Sequence, residues 1–140
     1  TESPSLSGTI IQTGGTETIL LVEDESKIRS MTARALTDLG YEVLEAANGI
    51  DAVSIVETGG HEKIDLLLTD LVMPMLGGRE TARRIRNLLP DIKVLFVSGF
   101  QGDARAEPSV SESGGQFLAK PFSLKLLATR VRETIDESQA

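Results

Sequence analysis

Cysteine and tryptophan are absent from these 140 residues, and histidine occurs once, at His61. Without thiols the chain forms no disulfide and binds no metal through sulfur, and a lone imidazole cannot assemble a histidine cluster. Aromatic residues make up only 4% of the chain, so its core must be largely aliphatic. No apolar run approaches the ~18 residues needed to cross a bilayer, and the opening residues lack the charged and apolar regions of a signal peptide, so no membrane contact is expected of this domain. A basic excess is missing as well: 14 Lys and Arg stand against 21 Asp and Glu, a formal charge of -7. That balance argues against direct nucleic-acid binding, which needs clustered cations to neutralise phosphates. It suits cation binding or a basic partner.

A hydrophobic content of 40% over this length fits one domain with a real core. Residues 1–16 are rich in Ser, Thr and Gly and read as a flexible linker or tail, leaving residues 17–138 as the folded domain. Five short apolar runs then alternate with helix-length segments. Strands are predicted at residues 18–22, 42–45, 64–69, 93–98 and 116–119. This alternation predicts an α/β fold, a parallel sheet with helices on both faces.

The first predicted helix, residues 26–39, places Ile28, Met31, Thr32, Ala35, Leu36 and Leu39 on one stripe, and Gly40 stops it. The second, residues 49–57, turns Ala52, Val53 and Val56 inward and ends at Gly59-Gly60. The third, residues 78–89, buries Ala82, Ile85, Leu88 and Leu89 and leaves Arg79, Arg83, Arg84 and Arg86 as a solvated face before Pro90. The last, residues 124–136, carries Leu127, Ala128, Val131 and Ile135 inward with Ser123 as N-cap. Glycine, proline and serine between residues 102 and 115 predict only a short or frayed helix there.

The chemistry collects at the strand ends. The first strand runs into Glu23-Asp24, the third into Asp70, the fourth into Ser98 and the fifth into Lys120. Ligands of open parallel sheets bind beyond the carboxyl ends of the strands, so three acids, a hydroxyl and an amine are expected on one rim. Singly, each has a plainer reading: first-turn acids favouring a helix dipole, a turn aspartate, a capping serine, a solvated lysine. Together they describe a magnesium-assisted phosphoryl-transfer site. Asp70 serves as a nucleophile expected to be ionised near neutral pH, the acidic pair holds Mg2+, and Lys120 and Ser98 bind phosphoryl oxygens. His61 reads as an exposed loop residue.

Leu20-Leu21-Val22-Glu23-Asp24-Glu25, Thr69-Asp70-Leu71-Val72-Met73-Pro74 with Gly77-Gly78, Val97-Ser98-Gly99 and Ala119-Lys120-Pro121-Phe122 resemble, in order, the motifs of response regulator receiver domains of two-component signalling. The polar tail and the ending soon after the last helix most resemble the C-terminal receiver of a hybrid sensor histidine kinase. The resemblance implies a doubly wound, flavodoxin-like sheet of five parallel strands in the order 2-1-3-4-5. It implies that Asp70 is the phosphoacceptor and that Glu23, Asp24, Asp70 and the backbone carbonyl of Val72 hold Mg2+, with Mn2+ as a substitute. Ser98 and Lys120 then bind the phosphoryl group, Ser98 and Phe117 form the switch, and Pro121 follows a cis peptide bond. The implied partner is a histidine kinase or histidine phosphotransfer domain. The implied state is a monomer or weak dimer, located in the cytoplasm or on the cytoplasmic part of a membrane-bound sensor kinase. As an isolated domain it would turn over no external substrate.

Three departures qualify the match. Glu23 stands where an Asp is common, so its metal contact is expected to run through a water. Phe117 lacks the hydroxyl of the tyrosine often found there. Val72 and Phe100 are apolar where the family admits hydrolytic water, which predicts a long-lived phosphate. The alternative reading is a small Mg-dependent α/β phosphatase using Asp70 as nucleophile, which needs a second acid close after it to protonate the leaving group. Val72 occupies that place.

Overall fold

The computed structural model describes residues 14–58, 63–73, 75–98, 116–120 and 122–136. Along them run β1 (Thr18–Val22), α1 (Ser26–Asp38), β2 (Glu42–Ala46), α2 (Gly49–Thr58), β3 (Leu66–Asp70), α3 (Gly78–Leu88), β4 (Lys93–Ser98), β5 (Gln116–Ala119) and α4 (Leu124–Asp136). All pairings are parallel and the strand order is β2-β1-β3-β4-β5, the doubly wound arrangement expected. The order reverses between β1 and β3, so a crevice opens beyond their carboxyl ends. Val22 pairs with Thr69, and Asp70 with Val97, which brings the ends of β1, β3 and β4 to one edge.

Alternation along each strand sorts the side chains between two cores. Leu20, Val22, Leu67 and Phe96 pack with Ala52 of α2 and Ile85 of α3. Ile19, Leu21, Leu68 and Leu95 pack with Leu36 of α1 and Val131 of α4. Central β3 is buried along its whole length, Asp70 included.

Local signals account for the helix ends. Gly40 adopts φ 105°, a left-handed conformation that favours glycine. Its N–H donates to the Thr37 carbonyl at 2.9 Å while that of Tyr41 reaches Leu36 at 3.2 Å, the paired closure of a Schellman motif. Ser123 caps α4 as predicted, its Oγ accepting the Leu126 N–H at 3.0 Å. Asn48 caps α2 in the same way through Asp51, at 2.8 Å, which the sequence reading did not foresee.

Two residues of the predicted inner stripes face solvent instead: Met31 is 64% exposed and Leu88 45%. Ala33 and Thr81 are buried in their helices. Three- and four-residue spacing fits neighbouring stripes equally well, and small side chains let a helix lie close to the sheet, so Ala33 is preferred to bulky Met31. Ile135 is only partly buried, and Thr134 is enclosed beside it with its hydroxyl donating to the Arg130 carbonyl at 2.7 Å. The frayed helix expected in residues 102–115, the Gly59-Gly60 stop and His61 lie outside the described residues.

The linker reading also needs correction at its end. Residues 1–13 lie outside the described residues, but Gly14 and Gly15 are tied down. The Gly15 N–H donates to Leu39 at 3.2 Å, and Arg132 Nη1 to the Gly14 carbonyl at 3.0 Å. Arg132 is the knot, with its side chain 13% exposed. It grips Glu17 with two bonds of 3.1 and 2.7 Å and Asp136 with two of 3.1 and 2.7 Å. Such forked charge-assisted pairs exceed ordinary surface ion pairs.

Arg132→Met is therefore expected to lower stability by about 1–2 kcal/mol after allowance for solvent screening. Hydrogen bonds from Arg132 hold the Glu17 and Asp136 carboxyls below their ordinary values of 4.5 and 3.8. Folded values below unfolded ones mean that the stabilisation is present above about pH 4.5 and fades as pH falls further. Thermal melts should show a wild-type advantage at neutral pH that shrinks in acid; an advantage that is absent at neutral pH contradicts the assignment.

Candidate functional site

The rim of the sheet is built by short backbone steps. Past β1 the Glu23 N–H continues the pairing with β2 by donating to Ala46 at 3.1 Å. The Glu23 side chain is buried, its Oε2 accepting the Glu25 N–H at 3.1 Å. Beyond β3 the Leu71 N–H donates to Val97 at 2.8 Å, and the Gly78 N–H returns to the Leu71 carbonyl at 2.9 Å. α3 thus begins against the end of β3, so closely that a Cβ on Gly78 would stand 2.2 Å from the Asp70 carbonyl oxygen. At the end of β5 the Lys120 N–H donates to the Ser98 carbonyl at 2.7 Å, which aims the lysine back across the rim.

Its ammonium lies 3.2 Å from Glu23 Oε1 and 3.1 Å from Asp70 Oδ1. Asp70, at the last position of β3, is 8% exposed, whereas Asp24 is exposed. Glu23, Asp24 and Asp70 each bring a carboxylate oxygen within 4.8 Å of the others. Asp70 Oδ1 is buried and receives no hydrogen bond; the lysine touches it as an ion pair outside hydrogen-bond alignment and bonds Oδ2 at 3.4 Å.

Three carboxylates facing one ammonium make a site short of positive charge. Burial, and then the neighbouring Glu23 carboxylate, push the Asp70 pKa up to about 7 against the opposing pull of Lys120. For Lys120, burial works to lower the pKa, but the Asp70 and Glu23 carboxylates outweigh it and the net shift is upward. The carboxyl expected to be ionised at neutral pH is thus harder to ionise than an ordinary aspartate in the metal-free protein, because β3 carries it into the core. An orphaned buried oxygen beside two further carboxylates is an all-oxygen donor set that fits a hard divalent cation.

The structure brings together Glu23, Asp24, Asp70 and Lys120. Ser98 ends β4, half-buried, beside Val97, which pairs with Asp70. Phe117 pairs with Phe96 and packs, partly buried, against the core on the α2–α3 side. Val72 is 79% exposed next to the site. Pro121 and Phe100 lie outside the described residues. Arg29 was missed by the sequence reading: its Nη1 donates to the Glu23 carbonyl at 2.8 Å and its Nε lies 3.5 Å from Glu45 Oε1. The signal available was an arginine one helical turn after Glu25.

The sequence profile of the response regulator receiver domain matches residues 19–132. The chain belongs to the response regulator receiver family. This receiver is 46% identical over 123 residues to the sensor kinase CckA of Brucella abortus, a match that covers 88% of this chain and 13% of CckA. It is 36% identical over 117 residues to the response regulator receiver protein CpdR of the same organism, covering 84% of this chain and 95% of CpdR. The chain therefore spans a small part of the first relative and nearly the whole of the second. Among solved structures, the receiver domain of the hybrid histidine kinase CckA aligns with a TM-score of 0.70 at 41% identity, covering 85% of this chain and 99% of that one. A receiver domain protein from Clostridium thermocellum aligns with a TM-score of 0.77 at 28% identity, covering 86% and 94%. No helix among the described residues of the receiver is long and apolar enough to cross a membrane.

Because the folded-state pKa of Asp70 lies above its ordinary 3.8, its contribution to stability is fully present below that value and is lost as pH rises through about 7. Asp70→Asn is therefore expected to melt higher than wild type above neutral pH in chelator, with the gap closing towards acid. A variant that melts lower than wild type at alkaline pH would contradict the strained carboxylate.

Proposed function

We propose that this receiver accepts a phosphoryl group on Asp70 from a phosphohistidine of a histidine kinase or histidine phosphotransfer domain, in a reaction dependent on Mg2+, with Mn2+ able to substitute. The reading rests chiefly on one observation: the buried Asp70 carboxylate lies within 4.8 Å of the Glu23 and Asp24 oxygens and in contact with Lys120. An Asp70 oxygen attacks phosphorus, an O–P bond forms, the P–N bond to the donor imidazole breaks, and the imidazole leaves with the electron pair. Glu23, Asp24, Asp70 and the Val72 carbonyl would hold the cation, which would supply positive charge to offset the repulsion between the carboxylates and the phosphoryl oxygens.

The chain's own residues do the rest. Lys120 supplies an ammonium to a phosphoryl oxygen in place of its present contact with Asp70, and the Ser98 hydroxyl donates to another. Ser98 moving towards the phosphate with Phe117 turning inward converts the modification into a changed surface, a local charge event read by a two-state element. The domain acts as a switch and turns over no external substrate. The greater identity to CckA than to CpdR supports a receiver of a CckA-like hybrid kinase, and the cytoplasm is the setting this reading assigns it.

Incubation with Mg2+ and a phosphohistidine donor should label one site per chain, and Asp70→Asn or chelation should abolish the label. Sustained hydrolysis of p-nitrophenyl phosphate would instead support the phosphatase reading, although exposed, apolar Val72 supplies no leaving-group acid. The apolar Val72 and Phe100 also predict a phosphate that persists for minutes or longer in Mg2+; decay within seconds would contradict this.

A further inference from the structure

Of the acids on the rim, Asp24 is the one with no evident means of aiming its side chain. Glu23 is fixed by Lys120 and by the Glu25 N–H, and Asp70 by Lys120 and its place in β3. Asp24 is exposed and makes no hydrogen bond or ion pair among the described residues, so its direction depends on the backbone that carries it. That backbone is a tight turn between β1 and α1. α1 starts at Ser26 behind Glu25, which gives it no side-chain cap. The turn is held by the Glu23 N–H bond to Ala46, the Glu25 N–H bond to Glu23 Oε2, the Arg29 N–H bond to the Glu25 carbonyl at 2.9 Å, and the Arg29 guanidinium on the Glu23 carbonyl at 2.8 Å.

The last of these holds one end of the peptide unit joining Glu23 to Asp24. The guanidinium is itself braced by Glu45, next to the end of β2, with 21% of the arginine side chain exposed. Lys120 occupies carboxylate oxygens that a cation would need. Arg29, by contrast, contacts a backbone carbonyl and an acid outside the set, and so orders the turn without competing for ligands.

We propose that Arg29 is a positioning residue of the cation pocket: by clamping the Glu23 carbonyl against α1 and β2, it holds the Glu23–Asp24 peptide so that the Asp24 carboxylate is aimed at Asp70 before any ion arrives. The proposal rests on the cation-binding reading of the site given above. Two effects of removing Arg29 have opposite signs, which makes the role testable. Loss of a nearby positive charge by itself strengthens attraction for a cation. Loss of an outer-shell hydrogen bond that orients a ligand typically weakens metal affinity about 10- to 100-fold.

Titration calorimetry with Mg2+ alone on wild type, Arg29→Met, Arg29→Lys and Glu45→Gln decides between them. Proton-exchange rates of the Glu23 and Glu25 amides, both hydrogen-bonded in the turn, are measured alongside in metal-free protein. The expected result is Mg2+ affinity about 10-fold weaker in Arg29→Met, faster exchange at both amides, and partial recovery of both in Arg29→Lys, which keeps a donor. Unchanged or tighter Mg2+ binding in Arg29→Met overturns the proposal. Should that variant fail to fold, Glu45→Gln carries the test: weaker binding with faster exchange supports the brace, and wild-type values in both overturn it. Should wild type itself not bind Mg2+, the cation reading fails by its own measurement, and unchanged amide exchange in the variants still overturns the clamp.

Discussion

Crowding of like charge at the carboxyl edge of the sheet governs the rest of this structure. A parallel sheet buried on both faces carries Asp70 into the core at the end of β3, and the turn after β1 sets Glu23 and Asp24 beside it. One ammonium, that of Lys120, spans Glu23 and Asp70. Burial, and then the negative charge of Glu23 that Lys120 does not fully offset, therefore push the Asp70 carboxyl well above its ordinary pKa. The same imbalance suits the site to a divalent ion and then to a phosphoryl group, which brings new oxygens for Lys120 to bind.

Such a site needs a rigid frame, because repelling groups separate unless their backbones are fixed. The frame is the register that sets Asp70 against Val97, the Lys120 N–H bond to Ser98, and the docking of Gly78 onto the Asp70 carbonyl. Each is a main-chain feature, so side chains on the rim can change partners without loss of the fold. At the other end of the domain, Arg132 ties the entering chain to α4 through Glu17 and Gly14. The two arginines that matter most here, Arg29 and Arg132, both act by joining segments distant in sequence or structure.

Much of this was legible in the residues. Strand positions followed from short apolar runs, helix ends from Gly40 and Ser123, and the meeting of Glu23, Asp24, Asp70 and Lys120 from the polar residues that follow the first, third and fifth runs. What stayed hidden depended on tertiary geometry. Nothing in the spacing of α1 separates Met31 from Ala33 as the inner residue, since only the approach of helix to sheet decides it. The raised pKa of Asp70 needs the distance to Glu23 and the depth of β3. No role for Arg29 or Arg132 is visible in the sequence, and their importance appears only when the carbonyls and acids they reach are brought near by the fold.

The central claim is that Glu23, Asp24 and Asp70 share one divalent ion. Anomalous diffraction from crystals of the protein soaked in Mn2+ tests it most directly. A single strong peak bonded to Asp24 and Asp70, with the Lys120 ammonium withdrawn from the ion, is expected. A peak elsewhere on the acidic surface, or none while Lys120 still bridges Glu23 and Asp70, would contradict it.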